Sequence, residues 1–182
     1  MVYRNGTYVA FHAEGTSVPT ASDMKYYNTL KAWHAHDDIE FRINDSHQKT
    51  CSVFDSSQKS TLRERLKERL RLSRNMLLII GDTTRLDTDN VPFEIEYAVD
   101  TCSIPIIATY TNYNAICNPN KLRNLWPNAL TSRIDNNKAR VIHIPFKKEP
   151  INESIRKYDH NKLPENGLVY YTHETYKKWN LI

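Results

Sequence analysis

Glu94 is the side chain whose type and place could do the most chemistry in this sequence. It lies in VPFEIEYAVDTC, one turn into an expected helix whose apolar stripe reads Ile95, Ala98, Val99 and Cys102. On a helical period Glu94 then falls roughly 100° from the core line. A carboxylate there either complements the positive end of the helix dipole or faces a ligand, and position alone leaves both open. Glu96 points elsewhere on the same helix and reads as a surface residue. Three further polar groups follow apolar runs: His12 and Glu14, then Asp45, Ser46 and His47, then Asp82, Thr83 and Thr84. His12 could carry a proton or be a hydrogen-bonded structural group. Asp45 and Ser46 could hold a ribose or cap a turn.

Other clusters carry less. His34, His36, Asp37 and Asp38 crowd one helix end without a second ligand group, which suits a solvated terminus better than a metal site. Asp55, Ser56 and Ser57 read as a turn, and Tyr26, Tyr27 and Trp33 as core. The four glycines, at 6, 15, 81 and 167, assemble neither a dinucleotide-binding GxGxxG nor a P-loop. The three cysteines lack CxxC spacing, which argues against a zinc site or disulfide framework and for a reducing compartment. We therefore expect no metal and no bound cofactor.

These side chains need a scaffold. The chain has 182 residues, 40% hydrophobic and 25% charged, with a net charge of +4. That composition supports one domain over residues 1–182 with a genuine core. The densest basic run, Arg63 to Arg74, is interrupted by Glu64 and Glu68 and reads as a solvated helix face rather than a nucleic-acid surface. No apolar stretch reaches the roughly 20 residues of a membrane span or suits a signal peptide, so a cytoplasmic protein without a membrane partner is expected.

Apolar runs predict strands at Thr7–Ala13, Ile39–Ile43, Met76–Ile80, Ile104–Tyr110 and Arg140–Phe146. Helices are expected after Ser22 or Asp23, after a Thr61–Glu64 capping box, and around Pro92. A short helix is expected near 121–126, with two more at about 151–158 and 172–179, while 48–59 reads as a loop. Strand and helix alternate, which implies α/β: a flavodoxin-like, doubly wound parallel sheet of five strands in the order 2-1-3-4-5. Such sheets bind ligands at the carboxyl ends of their strands, near the switch point. That rule gathers His12, the Asp45 cluster, the Gly81 loop and the start of the Glu94 helix on one rim.

The segments YVAFHA, INDSH, MLLIIG and VPFEIEYAVDTCSIPIIATY are similar to those of the TIR-like proteins of bacterial antiphage systems of the Thoeris type. The resemblance spans roughly residues 7–146, with a C-terminal helical extension at about 147–182 outside it. It implies that Glu94 is the catalytic glutamate. It also implies that Phe11 and His12 begin the loop lining a nucleotide pocket, and that Asp45, Ser46 and His47 begin the loop closing over it. A tryptophan commonly stands four residues before the glutamate in such proteins, and here that position is Asn90. Proteins of this type cleave the nicotinamide–ribose bond of NAD+ and release a cyclic or conjugated ADP-ribose signal. The implied partners are NAD+ as substrate, a phage-derived trigger, a downstream effector reached through the nucleotide signal, and further copies of the chain on activation. Two other readings stand beside this one. A TIR-like module could signal by assembly alone, and a receiver-like phosphoacceptor could use Glu14, Asp45 and Asp82, although these form no convincing magnesium cluster.

Overall fold

The computed structural model describes residues 4–13, 23–35, 43–44 and 56–182. Its centre is a parallel sheet built from β1 (Thr7–Ala10), β2 (Ile43–Asn44), β3 (Asn75–Ile80), β4 (Ile106–Tyr110) and β5 (Val141–Pro145). A short β6 (Val169–Tyr170) pairs parallel to β5, so the full order is β2-β1-β3-β4-β5-β6. The expected five-stranded order is present, and the sixth strand is added at its far edge. Two residues carry no readable alternation, so periodicity could not find it.

β3 and β4 are buried along their whole length and mostly apolar because both of their faces are covered. On one face Tyr8, Ala10, Met76, Leu78, Ile106, Ala108 and Tyr110 pack against α2 (Ser56–Leu72), α3 (Asn90–Glu96) and α4 (Asn128–Asp135). On the other face Val9, Leu77, Ile79, Ile107 and Ile144 meet α1 (Met24–Ala35), α5 (Lys148–Lys157) and α6 (His173–Lys178). The alternation within each strand deals its side chains to the two cores. Register is pinned at the base of the sheet: Thr7 Oγ1 donates to Asn75 Oδ1 at 2.7 Å, and Asn75 Nδ2 donates to the Tyr158 carbonyl at 2.7 Å. The segment after residue 146 thus supplies two helices, a strand and an anchor for β1 and β3.

Local expectations shift in three places. α2 starts at Ser56, inside the stretch expected to be loop, so Thr61 lies within the helix and the capping box does not open it. Leu66 and Leu70 bury the helix against the sheet, and once nucleated a helix extends at little cost into a helix-tolerant polar run. The expected helix near 121–126 is a tighter 3₁₀ segment, Pro119–Leu125, and α4 follows it unannounced because its buried residues Ala129, Leu130 and Ile134 are sparse. α3 continues into a widened π turn at Tyr97–Thr101, where the Cys102 amide reaches back to the Tyr97 carbonyl at 3.0 Å. Turns of that kind often sit beside functional groups.

Candidate active site

The loop leaving β3 builds the rim. Gly81 N–H donates to Thr84 Oγ1 at 2.8 Å, and the same hydroxyl donates to Asp23 Oδ2 at 2.8 Å, just before α1. Asp23 comes so close that a Cβ on residue 81 would meet its Oδ1 at 2.1 Å, which explains the glycine. His12, beyond the end of β1, bonds through Nδ1 to the Thr83 carbonyl at 3.0 Å. A carbonyl only accepts, so Nδ1 is the donor of that bond. The loops after β1 and β3 are thereby tied at the sheet's switch point, where doubly wound folds bind ligands.

Asp87, at the end of the same loop, accepts from the amides of Asp89 and Asn90 at 2.8 and 3.0 Å. These are orphan donors at the start of α3, and satisfying them fixes the entry of the helix. Pro92 falls within its first turn, where a missing N–H costs nothing. Arg63 of α2 clamps the same end, paired with Asp89 at 2.8 Å and lying over the Phe93 ring.

So held, α3 places Glu94 differently from the sequence expectation. The residue is only 3% exposed and belongs to the buried face, not to a line roughly 100° away from it. The stripe begins at Val91 rather than Ile95: Val91, Glu94, Ile95 and Ala98 lie at i, i+3, i+4 and i+7, and all are buried. An acid within an apolar stripe was the legible signal, missed because the stripe was started four residues late. The Tyr8 hydroxyl of β1 donates to Glu94 Oε1 at 2.5 Å, and no other hydrogen bond reaches the carboxyl from the described residues. Burial pushes the Glu94 pKa up to about 8; the Tyr8 bond opposes the rise and the Asp87 charge adds to it.

Of the other expected site residues, the structure brings His12 to the rim. Phe11 goes elsewhere: it is 3% exposed and stacks on Tyr27 of α1, centroids 4.7 Å apart, in the core of the opposite face. Strand alternation explains this, since Phe11 shares parity with Val9 and not with Tyr8. Asp45, Ser46 and His47 lie outside the described residues, as does Glu14. Asp82 is engaged by the Asn112 amide at 3.3 Å. Tyr26 and Trp33 pack on Phe146, as core aromatics should. Sequence reasoning missed Tyr8 and Asp23. Tyr8 was hidden in an apolar run, and Asp23 was read as a helix cap.

Among the described residues no group of three or more His, Cys, Asp or Glu side chains could hold a metal ion. Nor, among them, is any helix long and apolar enough to cross a membrane.

A parallel sheet in the order 2-1-3-4-5, with helices on both faces, is the α/β flavodoxin-like fold of TIR-like domains. The family model for the TIR-like domain of Thoeris protein ThsB matches residues 8–116, and the chain belongs to that family. The match includes Tyr8, His12, the segment 45–47 and Glu94, and it gives the chain a TIR-domain role in antiphage defence.

Proposed function

We propose that the chain is an NAD+-cleaving enzyme that breaks the nicotinamide–ribose bond and produces a cyclic or conjugated ADP-ribose signal for a separate effector. The observation that carries the reading is the Glu94 carboxyl, buried in an apolar stripe with a single hydrogen-bond partner among the described residues. Strongly perturbed acids in such places are characteristic of reaction sites.

The chemistry asks little more of the protein. The C1′–N bond breaks with its electron pair going to the pyridinium nitrogen, so nicotinamide leaves neutral and needs no general acid. The ribosyl fragment left behind resembles an oxocarbenium ion, which an adjacent carboxylate stabilises electrostatically. Water captures it with loss of a proton, or a nucleophilic atom of the same or another nucleotide does so instead. Buried as it is, the Glu94 carboxyl is mostly protonated at neutral pH. A cationic pyridinium beside it favours the anion, so the substrate itself draws out the charged catalyst. His12 Nε2 and the loop beginning at Asp45 are proposed to line the nucleotide side. NAD+ is a substrate here and no separate cofactor is invoked. Activation is proposed to depend on a phage-derived trigger and to involve self-association, and a cytoplasmic setting supplies the NAD+.

The test is nicotinamide release from NAD+ by the purified full chain, with and without lysate from phage-infected cells. Glu94→Gln, which keeps the shape and removes the charge, is expected to lower release by about 10³-fold. Equal release by the variant removes Glu94 from the mechanism. The sealed position of Glu94 favours one second reading, a TIR-like module that signals by assembly alone. A wild-type chain silent toward NAD+ in both conditions, yet assembling with the trigger, supports it.

A further inference from the structure

We propose that Tyr8 is the positioning residue of the Glu94 carboxyl, holding one oxygen so that the other is presented to substrate. The inference rests on the enzymatic reading above and extends it to a residue that does not touch the reacting atoms.

The geometry is specific. Tyr8 is fully buried on β1, a strand hydrogen-bonded on both sides by β2 and β3. Its neighbour Thr7 is locked through Asn75 to the end of α5, so the strand has little freedom to slide. The phenol therefore reaches from a fixed point in the sheet to a helix packed over it, 86 residues later in the chain, and meets Oε1 at 2.5 Å. A phenylalanine would fill the same apolar space, and the extra oxygen is spent on the one buried acid of α3. A carboxylate accepts at both oxygens, so engaging Oε1 leaves Oε2 to meet a ribose hydroxyl or the developing cation. A short bond from a neutral donor also favours the charged form, countering part of the burial cost. A first-rank catalytic group gains precision when its partner sits on a rigid element, and a sheet strand is one.

The experiment is a titration of the Glu94 carboxyl by ¹³C NMR in the full chain labelled at glutamate Cδ, the resonance being assigned by its loss in Glu94→Gln. In Tyr8→Phe the midpoint is expected to rise by about one pH unit, equivalent to a tenfold change in proton affinity. The acidic limb of nicotinamide release should move upward with it. At pH 7, kcat should fall by about tenfold while KM for NAD+ stays within about twofold. Replacing Tyr8 with 3-fluorotyrosine, a stronger donor of nearly the same size, should move the midpoint down, and it carries the test if Tyr8→Phe does not fold. An unchanged midpoint in either folded variant overturns the proposal, because a merely space-filling tyrosine would leave the titration where it is. A wild-type chain that never releases nicotinamide defeats the enzymatic reading instead, and the titration still decides whether Tyr8 governs Glu94.

Discussion

His143 within the sheet and Glu94 on a helix packed over it are both buried ionisable groups, and the protein treats them in opposite ways. His143 of β5 is fully buried and satisfied at both ring nitrogens. Trp126 Nε1 donates to the Tyr110 hydroxyl at 2.7 Å, that hydroxyl donates to His143 Nδ1 at 2.7 Å, and His143 Nε2 donates to the Gly167 carbonyl at 2.9 Å. The chain of donors runs one way only if the ring is neutral with its proton on Nε2, and burial accordingly holds the pKa down to about 4. The ring is also stacked between Trp126 and Tyr110. Glu94, by contrast, has a single described partner and a pKa raised to about 8. A complete network fixes a fold, whereas an acid left short of partners is a cost the fold carries for another purpose.

The contrast is breakable. The largest effect on stability should come from His143→Leu, which strands the Tyr110 hydroxyl and the Gly167 carbonyl. A loss of about 3 kcal/mol is expected in urea unfolding, with nicotinamide release intact in the folded fraction. Loss of catalysis in a well-folded variant would erase the distinction between the two sites.

Next come the opposite pH slopes. The Glu94 pKa is above its unfolded value, so its contribution is most favourable below pH 4.5 and is lost as pH rises through about 8. His143 has its pKa below the unfolded value, so its contribution is present above pH 6.5 and is lost as pH falls through about 4. Glu94→Gln should therefore stabilise the protein at pH 9 and do almost nothing at pH 4. Thermal unfolding across that range measures it, and a gain independent of pH would show that burial of the charge is not the cause.

A smaller effect is expected at the rim. Gly81→Ala forces Asp23 aside and should cost about 1–2 kcal/mol, read as a lower Tm. The smallest belongs to the exposed clamp: Arg63→Ala removes the Asp89 pair and the contact with Phe93, and should cost under about 1 kcal/mol. Chemical denaturation separates the two, and a larger cost at Arg63 would make the entry of α3 more dependent on α2 than its exposure suggests.

Much of this was legible in the residues. MLLII reads as a buried strand because an unbroken apolar run is what two covered faces require. The alternation of strand and helix led to the sheet order, and the segment VPFEIEY singled out Glu94. The orientation of Glu94 was misread because the stripe was counted from Ile95 and not from Val91, and Phe11 was placed at the nucleotide on resemblance while its parity puts it against Tyr27. β6 and α4 were missed because two residues, or three scattered apolar ones, hold too little pattern to show a period.

By itself, then, the sequence determined the kind of architecture, the family and the acid worth watching, because periodicity and local motifs are properties of neighbours along the chain. Only the tertiary structure decided that Tyr8 meets Glu94, that Thr84 meets Asp23, and that His143 closes a network from Trp126 to Gly167. Those partners are tens of residues apart, and what brings them together is the packing of helices over a twisted sheet, which no local pattern records.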